Sequence, residues 1–162
     1  MSSIQKIIND LALTAHPEGG YYRRIYENPL TVTAHASIRP INTAIIYLLA
    51  GKQFSAFHRI RSDELWFLGE HNTGIRLIEL ADGDGWQETV LSKHKPFHCV
   101  TAGRWFAAQL IDSAGDNYAV SYCTVSPGFD FADFELASCQ TLTSQYPQYH
   151  QRIQDLCHTS RL

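Results

Sequence analysis

Apolar positions change their rhythm twice along this chain. In residues 2–11, Ile4, Ile7, Ile8 and Leu11 recur at three- and four-residue spacing. That is the period of one helix face, and Ser2 with Gln5 fits a capping box at its start. Pro17, Gly19 and Gly20 end the period. From Tyr21 onward, short runs rich in β-branched, aromatic and other apolar residues follow one another, at 21–27, 42–49, 54–60, 64–68, 75–80, 87–91, 98–101, 105–111 and 118–126. Polar or glycine-bearing turns separate them, among them Ala50-Gly51-Lys52, Gly69-Glu70-His71-Asn72, Asp82-Gly83-Asp84-Gly85 and Ala114-Gly115-Asp116-Asn117. Many short strands at regular spacing predict an all-β sandwich or barrel rather than an α/β fold. After Pro127-Gly128 the helical period returns, and it predicts helices over 130–137, 139–145 and 147–157. Asp130 suits the N-cap of the first, and Pro147 the opening turn of the last. No linker or repeat interrupts the pattern. It predicts a single domain over residues 1–162, with a barrel at about 20–127 and a helical C-terminal segment at about 129–158.

Composition acts mainly by exclusion. A chain of 162 residues is long enough to bury a real core. Its net charge of −3 offers no basic surface for nucleic acid or an anionic membrane, so neither is expected as a partner. No apolar run approaches the roughly 20 residues needed to span a bilayer. The first ten residues lack the basic-then-apolar pattern of a secretory signal, and a cytoplasmic location is the expectation. Cys99, Cys123, Cys139 and Cys157 form no C-x-x-C pair and are expected as free thiols, packing as small hydrophobes.

The segment 51–66 carries the candidate chemistry. Two strands joined by a tight turn at Arg61-Ser62-Asp63 put His58 and Ile60 on one face, and Glu64 and Trp66 on one face. As a hairpin, the strands lie about 5 Å apart, and His58 meets Glu64 inside a barrel. An imidazole beside a carboxylate serves either as a proton-transfer pair or as two ligands to a metal. On spacing alone, surface residues or a structural hydrogen bond are the favoured readings.

The same segment resembles the first motif of the cupins, a glycine followed by H-x-H and then Glu. Here Gly51, His58 and Glu64 match, while Ile60 replaces the second His. The second cupin motif resembles Thr101-Ala102-Gly103-Arg104-Trp105-Phe106, with Phe106 in place of the metal-binding His. More of the chain is similar to the small stand-alone cupin-5 type cupins. The signatures are His16-Pro17-Glu18-Gly19-Gly20-Tyr21-Tyr22-Arg23, Thr43 to Leu49, His58-Arg59, Asp63-Glu64-Leu65-Trp66, Gly103 to Ala108, and Ser126-Pro127-Gly128-Phe129-Asp130-Phe131. The resemblance implies a germin-like double-stranded β-helix, a jelly-roll barrel with a small-molecule pocket inside. With two of the four usual metal ligands absent, His58 and Glu64 are weak metal candidates, and no cofactor is expected.

Metal-free sugar-nucleotide epimerases of the same superfamily use a His base, a carboxylate that orients it and a Tyr acid. By that analogy His58 is the candidate base, Glu64 its orienter or a second acid, and Tyr47 the acid. Burial of His58 among Phe57, Trp66 and Trp105 is expected to tune its proton affinity towards neutral pH. The resulting expectation is an isomerase or epimerase-like enzyme acting on a sugar or sugar nucleotide. The alternative is a non-catalytic cupin binding a purine or other flat heterocycle; a metal-dependent cupin enzyme stands third. Trp66, Trp105, Phe106, Arg59, His16, Glu18 and Tyr22 are the candidate ligand-binding residues. For His16 and Glu18 a role at the pocket mouth or a subunit contact and a plain turn weigh evenly, and Arg23 or Arg24 either grips a carboxylate or phosphate or, as the favoured reading, is solvated or pairs with acids. The aromatic stretch 129–134 is expected to pack a terminal helix rather than to touch substrate. The aromatic strand 21–26 would leave an exposed edge, and this predicts a homodimer.

Overall fold

A computed structural model describes residues 3–81 and 85–158. Ser2 of the expected capping box and the turn residues 82–84 lie outside them. The chain opens with helix α1 (Ser3–Asp10) and a short strand β1 (Thr14–Ala15), then enters β2 (Tyr21–Glu27). After a hairpin of β3 (Thr31–Ala34) and β4 (Ser37–Pro40) come β5 (Thr43–Ala50), β6 (Phe54–Ile60), β7 (Asp63–His71), β8 (Ile75–Ala81) and β9 (Gly85–Leu91). Strands β10 (Phe97–Val100), β11 (Trp105–Leu110) and β12 (Tyr118–Ser126) complete the barrel. A 3-10 turn (Phe131–Asp133), strand β13 (Phe134–Leu136), and helices α2 (Cys139–Gln145) and α3 (His150–Gln154) follow.

Beside the two-stranded β3–β4 hairpin, the strands form two antiparallel sheets, one of six strands in the order β1-β2-β5-β12-β7-β10 and one of five in the order β13-β6-β11-β8-β9. This is the expected all-β jelly roll. Its interior, between the sheets, holds Tyr47, Leu49, Trp66, Ile75, Leu77, Leu91 and Phe106. Alternation along each strand sends the intervening residues outward. Phe57, Ile78, Leu80 and Ala107 pack beneath Leu142 of α2 and Ile153 of α3. Ile46 and Leu48 pack beneath Ile7, Ile8 and Leu11, at and just beyond α1. Strand β5 is therefore covered on both faces, which is why its sequence is an almost unbroken apolar run. Each fully buried Leu, Ile or Phe in these layers contributes roughly 2 kcal/mol. Among the described residues, no helix is long and apolar enough to cross a membrane.

Three expectations need correction. Strands β6 and β7 do not form a hairpin: they belong to different sheets, and the chain turns a corner between them at Arg61-Ser62. Residues 130–137 are not a helix. Asp130 does cap, accepting from the Ala132 N–H at 2.8 Å, but the turn it starts lasts three residues before β13 pairs with β6. The β3–β4 hairpin lay in a stretch where no strand was expected. Its one well-buried side chain, Arg39, is polar, so no apolar run marks it.

Candidate functional site

The corner between β6 and β7 decides the site. His58 stands on the five-stranded sheet and Glu64 on the six-stranded one, and both line one cavity of about 440 Å³ inside the barrel. They face the same space from opposite walls, and His58 pairs with Glu18 instead.

Glu18 reaches the barrel through Gly19 and Gly20. Their φ angles are +110° and +71°, and a Cβ at Gly20 would sit 2.7 Å from the Leu48 carbonyl oxygen and from the Tyr47 hydroxyl. Only glycine lets the chain fold so closely against β5. The Glu18 main chain is then clamped: its carbonyl accepts from the Ala56 N–H at 2.8 Å and bonds His158 Nε2 at 2.7 Å. The Glu18 carboxyl accepts from the Ser55 hydroxyl at 2.9 Å and lies 3.1 Å from His58 Nε2, with His16 Nδ1 at 3.5 Å.

The tautomers follow from these partners. His58 Nδ1 lies 2.8 Å from the Ala56 carbonyl, which can only accept, so Nδ1 carries a proton. Its Nε2 and a Glu18 oxygen then face each other with room for one shared proton. Burial lowers the His58 pKa to about 4, against a small opposing effect of the Ala56 carbonyl. Burial likewise raises Glu18, opposed by His16, Ser55, Tyr47 and His158. Glu64 is pushed up to about 8, by burial first and by the nearby Glu18 carboxyl second, while Cys123 and Trp66 oppose the shift. His16 is lowered, again mainly by burial. Burial thus presses the groups at the deep end of the pocket toward their uncharged forms: His58, at about 4, lies below the neutral range expected of it, and Glu64, at about 8, holds at neutral pH a proton that an exposed carboxyl would have lost.

The other expected site residues divide into two groups. His16, Glu18 and Tyr22 line the cavity with His58 and Glu64. Trp66 and Phe106 are buried in the core beside it; Phe106 packs on His58 at 4.1 Å between ring centroids. Tyr47 is buried, donates to the Gly19 carbonyl at 2.6 Å, and has its pKa raised well above the ordinary value, by burial first. Trp105 and Arg59 face away from the barrel interior, the guanidinium lying 4.4 Å over the indole and paired with Glu135 at 2.7 Å. Phe57 shares that outer face. The rings that enclose His58 are therefore Phe106 and Phe134, not Phe57 and Trp105. The aromatic stretch also departs from expectation: Phe129, Phe131 and Phe134 form one wall of the cavity, opposite Ile45, Cys123 and Val125. The alternating Phe129 and Phe131 were the available signal, masked by reading the segment as helix.

A metal is not well served by these donors. Among the described residues, no three His, Cys, Asp or Glu side chains converge to hold one. Both His58 ring nitrogens have partners, and Ile60 and Phe106 carry no ligating atom.

Residues 5–137 match the family described as Cupin_5: Cupin superfamily (DUF985). A hypothetical protein from Leishmania major is 25% identical over 98% of this chain and 100% of its own, with a TM-score of 0.89. A protein of Shewanella oneidensis is 28% identical over 99% of this chain and 100% of its own, with a TM-score of 0.86. Bacillus subtilis oxalate decarboxylase, at 11% identity and a TM-score of 0.57 over 92% of this chain and 37% of its own, shares the fold. No curated protein matches.

Proposed function

This chain belongs to the Cupin_5 family of the cupin superfamily, and on that premise we propose that its barrel pocket performs metal-independent acid–base chemistry on a small polar molecule, as an isomerase or epimerase does. The observation that carries the reading is the placement of two one-proton stores on opposite walls of one cavity. Glu64, neutral at pH 7, is one. The Glu18–His58 pair is the other. Glu64 gives a proton to the bound molecule, and the Glu18 carboxylate, in its ionised form beside neutral His58, takes one from another position; solvent resets both. A pKa near the working pH is what a group that gives and recovers a proton requires. Because both His58 nitrogens are partnered, Glu18 presents the reactive oxygen and His58 sets its charge. Tyr47, fixed on Gly19, supports the clamp on that segment rather than donating the proton.

The test is solvent exchange. Sugars, sugar phosphates and nucleotide sugars are incubated with the protein in deuterium oxide, and carbon-bound deuterium is read by mass spectrometry. Incorporation that disappears in both Glu64→Gln and His58→Gln is expected. No incorporation by the wild type, or incorporation indifferent to both substitutions, overturns the reading. The aromatic wall of Phe129, Phe131 and Phe134 favours a second reading, a non-catalytic pocket for a flat ring. That reading predicts binding weakened by the same substitutions with no exchange in any variant. For assembly we propose a homodimer along β2, motivated by the exposed Ile25 and Tyr26. A monomer mass in light scattering overturns it.

A further inference from the structure

The charge of the pocket changes along its depth. At the inner end Glu18, Glu64, His16 and His58 are all pressed by burial toward their neutral forms. The middle is apolar, walled by Ile45, Ile60, Val125 and Phe134. An ionised group placed in either zone would lose its water and gain no counter-ion.

The cations that line this cavity are Arg23 and Arg24, both on β2 and both exposed. Arg24 donates to the Phe129 carbonyl at 3.0 Å, which holds the guanidinium beside the aromatic wall. Its acidic partner is Glu27, at 2.7 Å, and that carboxylate is 55% exposed. An exposed pair of this kind contributes about 1 kcal/mol or less, so an incoming anion displaces it at little cost. Arg23 has no hydrogen-bond or ion-pair partner among the described residues. The acid of the same rim, Asp130, directs one oxygen to the Ala132 N–H.

We propose that the pocket's ligand is an anion with a neutral polar head: a molecule whose hydroxyl or carbonyl end reaches Glu18 and Glu64, and whose carboxylate or phosphate stays at the rim on Arg23 and Arg24. This rests on the pocket being the reaction site and names the class of molecule it takes. Planar guanidinium groups match both carboxylate and phosphate oxygens, so the two sources share one recognition chemistry.

Calorimetric titration with matched pairs tests it: glucose 6-phosphate against glucose, and benzoate against benzamide. At least one charged member binds about ten-fold more tightly than its neutral partner, the size of one charge-assisted contact. The pair that discriminates tells phosphate from carboxylate. The preference collapses toward one in Arg23→Gln/Arg24→Gln, where glutamine keeps a donor for Phe129 and melting should be little changed, and it survives in Glu64→Gln. Equal binding of charged and neutral members, a preference untouched by the double substitution, or no binding of either charged probe overturns the proposal. Loss of deuterium exchange with the preference intact defeats the catalytic reading alone.

Discussion

Asp133 and Glu64 are both buried carboxylic acids, and the structure treats them in opposite ways. Asp133 accepts two bonds from Arg39, at 2.7 and 3.3 Å, and this pairing lowers its pKa. Among the described residues no cation pairs with Glu64; burial and the neighbouring Glu18 carboxyl raise it to about 8. Asp133 is a completed ion pair that pins the β3–β4 hairpin to the turn before β13. Glu64 is a group that folding leaves charge-averse. That uncompensated acid is the feature on which the proposed proton transfer rests.

The contrast can be broken most severely at Glu64. Glu64→Gln keeps the shape but removes the transferable proton, and catalysed exchange should fall by about 100-fold or more with melting temperature unchanged or raised. An active Glu64→Gln would place the chemistry elsewhere. The next largest effect is on stability. Arg39→Met strands Asp133 without its partner, and thermal unfolding should come several degrees earlier while exchange is retained. Loss of exchange at full stability would show that the hairpin belongs to the site.

The two acids also differ in the sign of their pH dependence. The folded pKa of Glu64 is raised, so its contribution declines between the unfolded value of 4.5 and about 8, with a slope of at most about 1.4 kcal/mol per pH unit. Asp133 is lowered, so its contribution is present above 3.8 and is lost as pH falls through the folded value. His58, lowered from 6.5 to about 4, also destabilises the fold as pH falls through that interval. Urea unfolding from pH 4 to 9 should show a shallower alkaline decline in Glu64→Gln, with Glu18 still raised, and keep its acid limb. A wild-type stability flat between pH 6 and 8 would mean that Glu64 is ionised. Glu18→Gln keeps a polar partner for Ser55 and His58 but removes the oxygen that takes the proton, so exchange should fall about as far as in Glu64→Gln, and a full-rate variant would leave His58 acting without it.

Most strands were legible because period-two runs bounded by turn residues survive any tertiary context. Runs expected at 21–27, 54–60 and 118–126 coincide with β2, β6 and β12. Residues 130–137 were misread because Phe131 and Phe134 are spaced as on a helix, while their real constraint is the cavity wall they share with Phe129. The chemistry was half legible. His58 and Glu64 stand out from the cupin resemblance, but proximity in sequence suggested that they pair. The partner of His58 lies forty residues earlier, in a turn whose glycines signalled only a bend.

The sequence by itself determined the succession of strands, the inward face of each, and the residue types that the pocket draws on, because alternation and turn chemistry are local. Tertiary structure decided which sheet each strand joins, that Glu18 rather than Glu64 meets His58, and that burial raises both carboxyls. Those outcomes depend on burial and on distances between segments far apart in the chain, and no local pattern encodes either.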